Sequence, residues 1–343
     1  MLVLENIHYK IDDFELNSIN LRVKNGEYVV ILGESGSGKT VLLDIISGFR
    51  KPNKGKILKN ETEITRCPIH KRGFAYVTSD NSLFPHLNVK NNIKLSNKLD
   101  EREYDLLVSD FGLSSLLKKY PNDLSSGEKQ RVALARAIAT KPDVLLLDEP
   151  LSSIDVNLRY EIMLLLRQLK KNGFTVIHVT HDVNEAIILS DLAVIMHNGR
   201  IVQKGNIFEI LKKPANIFVA KLAGIKNVYK AQYYEKNIYK VENSINIMTN
   251  NYNQYNDCII IISSSDVVLS RYPIQSSMQN GFKGKIIDII TSQNSIDIVI
   301  NINILIHATI TQQSYEEMKL SVGNEIWVYF KASAIKVIPY FED

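Results

Sequence analysis

The chain has 343 residues, 45% hydrophobic and 23% charged, with a formal net charge of +4; it can hold two or three domains and is too nearly neutral to argue for a nucleic-acid partner. Cys67 and Cys258 stand far apart and form no metal or redox motif, so a reducing cytoplasmic setting is expected. No apolar run reaches the roughly 18–20 residues of a membrane span and the first residues lack a signal-peptide pattern, so any membrane role is expected to be peripheral.

Residues 7–10 and 14–21 alternate as short strands and are expected to pair as a hairpin through Asp12 and Asp13. An aromatic there can stack on a purine ring. Tyr9 is the first choice and Phe14 the second, against the plainer reading of a packing aromatic. A buried strand over 28–32 then runs into Gly33-Glu34-Ser35-Gly36-Ser37-Gly38-Lys39-Thr40, and Val41 opens a helix. This fits the phosphate-binding pattern G-x-x-x-x-G-K-[ST] in its strand-then-helix setting. The glycines let backbone N–H groups turn inward on a triphosphate, and the helix N-terminus adds a favourable dipole. Lys39 is placed to reach the β- and γ-phosphates, and Thr40 to sit on Mg²⁺.

A turn at 52–55 and a strand over 73–77 lead into Thr78, Ser79 and Asp80. Residues 83–140 read as helical, with Leu106, Leu107, Phe111, Leu113, Leu116 and Leu117 on an apolar face. Ser125 and Glu128 have capping-box spacing, which puts Ser125, Ser126 and Gly127 at an exposed helix N-terminus suited to an anion. The apolar run 144–147 then ends in Asp148 and Glu149. An Asp at the C-terminal end of a buried parallel strand suits Mg²⁺, and Glu149 is placed to polarise an attacking water. Asp155 precedes an amphipathic helix over 156–172, and the strand 175–180 ends at His181, in reach of a γ-phosphate. His178 faces the other way and reads as packing. A hairpin over Asn198 and Gly199 follows, and beyond about 224 short strands separated by Asn and Ser clusters read as an all-β second domain.

Taken in order, GESGSGKT, LSSGEKQ, VLLLDEP, SSID and His181 resemble the motif series of ATP-binding cassette (ABC) ATPases. The resemblance implies an α/β P-loop NTPase cassette over 1–225, with a helical subdomain at about 83–140, and a small all-β domain over 226–343. It implies ATP and Mg²⁺ as cofactors, with Gly33, Glu34, Ser35, Gly36, Ser37, Gly38, Lys39, Thr40, Val41 and Ser79 around the nucleotide. Thr40, Ser79 and Asp148 would meet the metal. It further implies a head-to-tail homodimer in which Ser125, Ser126 and Gly127 complete the partner's nucleotide site and Asp155 crosses the interface. Membrane permease subunits and, indirectly, a substrate-binding protein would be the other partners.

Residues 37–44 and the wording of the tail look like the molybdate/tungstate importer ATPases, whose C-terminal Mop/TOBE-like domain binds oxyanions. Thr311, Ser314, Lys331 and Ser333 are the matching candidates for regulatory molybdate or tungstate, as donors for a tetrahedral anion. Importers of sulfate, polyamine, sugar or iron share the layout, and a non-transport cassette ATPase or a weakly hydrolysing sensor is the alternative of another class. Two departures stand out: Ser79 replaces the Gln usual in the family, with Asp80 beside it, and Ser126 replaces a Gly.

Overall fold

The opening hairpin is longer than its sequence pattern suggests. β1 (Leu2–Ile11) and β2 (Phe14–Val23) pair antiparallel and turn at Asp12, which takes a left-handed φ of 49°; a short polar side chain tolerates that conformation. Register shifts between Leu4 and Ile7 and between Ile7 and Tyr9 mark bulges, which break simple alternation. The computed structural model describes residues 1–340 apart from 79, 81, 153, 251–254, 293 and 294, and this hairpin belongs to a compact unit, Met1–Ile210.

β3 (Tyr28–Leu32), α1 (Lys39–Ser47), β4 (Lys54–Lys59), β5 (Thr62–Glu63) and β6 (Phe74–Val77) follow. The helical segment holds α2 (Val89–Lys94), α3 (Glu101–Asp110) and α4 (Ser126–Ala139). Leu107, Phe111, Leu113 and Leu116 are buried as expected, but Leu106 is 57% exposed; one residue along α3 turns a side chain by about 100° off the buried stripe. Then come β7 (Val144–Asp148), α5 (Val156–Lys171), β8 (Val176–Thr180), α6 (Val183–Leu189), β9 (Leu192–His197) and β10 (Arg200–Gly205), and α7 (Ile207–Lys212) runs across the unit boundary.

These strands form an antiparallel sheet, β2-β1-β4-β5, and a six-stranded sheet, β10-β9-β3-β8-β7-β6. In the larger sheet β3 runs parallel to β8 and β9, and β7 parallel to β6 and β8. A parallel sheet is covered on both faces, and β3, β7 and β8 are accordingly buried at every position. Register then builds a site: Leu32 lies opposite Thr180, and Asp148 opposite Val179. The chain therefore leaves β3 at Gly33, β7 at Glu149 and β8 at His181 along one sheet edge, the C-terminal edge where such sheets take ligands.

The second unit, Leu211–Asp343, begins with α8 (Ile217–Leu222). Ala220 of this helix packs on Ile259 and Ile261, which is why the compact unit starts near 211 although the sequence changes texture near 225. β11 (Asn227–Glu235), β12 (Ile238–Val241), β13 (Ile245–Met248), β14 (Asp257–Ile262), β15 (Val268–Ser270), β16 (Asn280–Thr291), β17 (Ile296–Asn301), β18 (Leu305–Ile310), α9 (Gln312–Met318), β19 (Glu325–Phe330) and β20 (Lys336–Pro339) follow. They make two five-stranded sheets, β13-β12-β11-β14-β20 and β15-β19-β16-β17-β18, around a core rich in isoleucine, including Ile260, Ile286, Ile298 and Ile306. A polar staple joins the sheets. Lys226 Nζ and His307 Nδ1 each lie 2.8 Å from Asp297 Oδ2. Burial pushes the Asp297 carboxyl up, but these two partners pull it below its ordinary range.

Candidate nucleotide site

The loop after β3 curls as a phosphate cradle must. Gly38 caps α1 with a left-handed φ of 99°, and a Cβ on Gly33 would stand 2.4 Å from the Met196 carbonyl oxygen, so both positions demand glycine. Lys39 is 5% exposed; its Nζ donates to the Gly33 and Glu34 carbonyls, 2.8 Å each. Burial holds its pKa below the lysine range against the pull of Glu149, Asp148 and Glu34. Ser37 Oγ is buried without a hydrogen-bond partner, and an orphaned polar atom in a glycine cradle calls for a ligand. Glu34, Ser35 and Gly36 form the exposed crest of the loop, and Val41 is half-buried in the first turn of α1.

Asp148 closes the floor. Its Oδ1 accepts from Thr40 Oγ1 at 3.1 Å and its Oδ2 from the Tyr76 hydroxyl at 3.2 Å. Burial raises the Asp148 carboxyl above its ordinary range despite these bonds. A hydroxyl and a buried carboxylate of raised pKa are a donor set that fits Mg²⁺. Next along, Glu149 has a left-handed φ of 47°. Its N–H donates to the Val179 carbonyl at 2.9 Å, and its Oε1 stands 3.3 Å from His181 Nδ1. Non-glycine residues with positive φ are strained by about 1–3 kcal/mol and cluster at working sites.

His178 is fully buried, as expected, but not as an apolar filler. Tyr28 Oη lies 3.0 Å from its Nδ1, and its Nε2 is 3.1 Å from Glu185 Oε2. Arg159 of α5 then bridges Glu185 and Asp182, at 2.6 and 2.5 Å. Burial raises the Glu185 carboxyl, but His178 and Arg159 outweigh it and hold the pKa below the usual range. A polar side chain in the middle of a buried strand, flanked by Val176, Ile177 and Val179, needs a partner, and that was the signal available in the sequence.

Phe14, the second choice for the aromatic platform, lies against the phosphate loop. A Cβ on Gly38 would meet Phe14 Cζ at 2.5 Å, so the ring lies directly over the loop. Tyr9 is engaged elsewhere: Arg50 donates to its hydroxyl at 3.1 Å and lies over its ring, and Arg50 is tied to Asp44 at 2.9 Å.

A family model described as ABC transporter matches residues 16–152, and one described as TOBE domain matches 276–337. The molybdate/tungstate import ATP-binding protein of Pyrococcus abyssi is 37% identical over 350 residues, covering 98% of this chain and 100% of the relative. The chain belongs to the molybdate/tungstate import ATP-binding family of ABC transport ATPases. The Pyrococcus horikoshii member is 35% identical and covers 99% of this chain. A spermidine/putrescine import ATP-binding protein of Mesoplasma florum is 42% identical, but over only 62% of this chain and 63% of its own length. Among solved structures, a dimeric ATP-binding cassette in a post-hydrolysis state with ADP and Pi matches with a TM-score of 0.54 at 30% identity, covering 60% of this chain and 99% of that one. As an ABC ATPase the chain binds ATP, and such enzymes use Mg²⁺ with it.

The remaining family positions can now be placed. Ser125 caps α4: Glu128 N–H donates to its Oγ at 3.2 Å, and Ser125 N–H to Glu128 Oε2 at 2.8 Å. Ser126 is the first residue of that helix and is not among the residues of positive φ, so its Cβ costs no backbone strain. Gly127 is buried, and a Cβ there would stand 2.9 Å from Leu158 Cδ1. Asp155 caps α5, its side chain accepting from the Leu158 N–H. Ser79 lies outside the described residues. Its neighbour Asp80 accepts from the Thr78 and Ser82 hydroxyls on one carboxylate oxygen, Oδ1, and these bonds hold its pKa low.

The four oxyanion candidates fall in two pairs on different elements. Thr311 caps α9 and its hydroxyl donates to Ser314 Oγ at 2.9 Å; the pair follows β18, whose Ile310 lies in register with Ile296 and so with Thr291, the last residue of β16. Lys331 and Ser333 follow β19, whose Phe330 pairs with Asn280, the first residue of β16. Between them, Thr309 Oγ1 donates to Ser264 Oγ at 2.8 Å and Val268 pairs with Tyr329, so the ends of β18 and β19 are joined through residues 264–268.

Proposed function

We propose that this chain energises uptake of molybdate or tungstate by binding and hydrolysing ATP between two of its own copies, docked on the cytoplasmic face of a membrane permease. The observation that carries the reading is the shared sheet edge: the glycine cradle, Asp148, Glu149 and His181 follow three parallel strands in register. Lys39 and the loop N–H groups take the β- and γ-phosphates. Thr40 and Asp148 hold Mg²⁺, which supplies charge neutralisation on the phosphates. Glu149 orients and deprotonates the attacking water, and His181, beside Glu149 Oε1, faces the γ-phosphate. Ser125, Ser126 and Gly127 of the second copy close the site, with Asp155 at the junction. Binding ATP better in the closed pair than in the open one converts nucleotide into motion.

Phe14 serves as the purine platform. Stacking of this kind contributes about 0.5–1.5 kcal/mol, so Phe14→Ala should weaken fluorescent-ATP binding about three- to tenfold, whereas Tyr9→Ala should leave it within about twofold; the reverse ranking would return the platform to Tyr9. The permease fits the groove of about 490 Å³ between β6 and the helical segment, where Ile69, Phe84 and Leu95 are exposed beside Lys98 and Lys141. Among the described residues no helix is long and apolar enough to cross a membrane.

The full-length match to the molybdate/tungstate relatives favours that cargo. The higher identity of the polyamine-import relative, over about three-fifths of the chain, favours polyamine as the second reading. Proteoliposomes carrying the chain with its permease and substrate-binding protein separate them. ATP hydrolysis should rise, and labelled anion should accumulate, with molybdate or tungstate; stimulation by spermidine and not by either anion would overturn the assignment.

A further inference from the structure

Tyr76 sits on β6, at the edge of the parallel sheet, with its hydroxyl 3.2 Å from Asp148 Oδ2 and 3.4 Å from Asp44 Oδ1. Thr40 holds the other oxygen of Asp148, so that carboxylate is gripped at both atoms and its plane is set. A phenol has one proton to give and two carboxylates compete for it. Asp44 is already paired with Arg50, whose guanidinium is in turn anchored on the Tyr9 hydroxyl. The balance therefore tips the phenol proton toward Asp148, whose oxygen is also the nearer. Side chains from β1, α1, the segment after it, β6 and β7 thus form one line of contacts ending on the carboxylate assigned to Mg²⁺.

We propose that Tyr76 is a positioning residue for the metal site: its hydroxyl fixes the Asp148 carboxylate in the orientation that accepts Mg²⁺, with Asp44 and Arg50 setting how far that proton is committed. The inference rests on the reading of Asp148 as the Mg²⁺ carboxylate. Hydrogen bonds of this outer kind change metal affinity by about 10- to 100-fold when removed. The alternative is that the ring only packs, since it lies 5.9 Å from the Phe49 ring, centroid to centroid.

Tyr76→Phe keeps that packing and removes only the hydroxyl. Tyr76→Met, unbranched and of similar reach, removes the ring as well. With the full-length chain, free Mn²⁺ is titrated by paramagnetic resonance at saturating ATP, and metal-free binding of a fluorescent ATP analogue is measured beside it. Both variants should need about tenfold more metal for half-saturation, with metal-free nucleotide binding and turnover at saturating metal within about threefold of wild type. Unchanged metal affinity in the variants beside a normal wild type would overturn the role of Tyr76 alone. An equal loss of metal-free nucleotide binding would also overturn it, by showing that the loop had moved. A wild type that binds no Mn²⁺ with ATP would instead overturn the reading of Asp148.

Discussion

Glu149→Gln is expected to cut ATP turnover by about 100- to 10,000-fold, the contribution of a positioned general base, while leaving ATP binding within about twofold. The substitution is nearly isosteric, but an amide cannot take a proton from the attacking water. The lost charge removes a pull on Lys39, but the turn itself does not rest on the carboxylate. The strained turn is held by backbone bonds: Glu149 N–H to the Val179 carbonyl, and Ser152 N–H to the Glu149 carbonyl. The carboxylate itself faces His181 Nδ1 at 3.3 Å and is partly exposed. Phosphate release and fluorescent-nucleotide titration on the same preparation test both halves. Turnover near wild type would remove Glu149 from the role.

Arg72→Met should destabilise the first unit by about 3–5 kcal/mol, since it leaves several buried carbonyl acceptors unsatisfied at about 1–3 kcal/mol each, partly relieved by relaxation. Arg72 is 1% exposed. It donates to the Cys67 carbonyl at 3.0 Å, to Thr65 at 2.8 Å, and to Ile45 and Ile46 at 3.0 and 2.7 Å. The last two carbonyls belong to the final turn of α1, where a cation also complements the helix dipole. The same side chain fills the space beside Gly48, where a Cβ would meet its Nε at 2.7 Å. Methionine fills much of the volume but strands these carbonyls. A melting temperature lower by roughly 10 °C is expected for a unit of this size. A loss under about 1 kcal/mol would mean that water satisfies the freed acceptors. The far end of α1 carries Lys39 and Thr40, so this arginine anchors the helix that presents the phosphate cradle.

Local chemistry was legible before any coordinates. The apolar runs ending at Leu32, Asp148 and Thr180 read as buried strands, the glycine pattern placed the cradle, and Ser125 with Glu128 read as a cap; each depends on neighbours within a few residues. What escaped the sequence depends on pairing between distant segments. Tyr76 reaches Asp148 only because β6 lies beside β7. The His178 contacts need β3, α5 and α6 together. The packing of Phe14 against Gly38 needs β2 folded over the loop. In the second unit, Thr311 and Lys331 follow different strands, β18 and β19, whose ends meet only through the distant segment 264–268. Ser-for-Gly at 126 costs no backbone strain for a local reason: that residue already has helical backbone, where a Cβ is at no disadvantage.

The central claim is a nucleotide clamp made by two copies, and one cross-linking measurement tests it most directly. Cysteines are placed at Ser35, on the phosphate loop, and at Ser126, on the capped helix, in the Glu149→Gln chain with Cys67 replaced by serine. With ATP and Mg²⁺, a disulfide should join Ser35→Cys of one copy to Ser126→Cys of another, and it should fade with ADP. Absence of any ATP-dependent link between copies, in a chain that still binds ATP, would contradict the account.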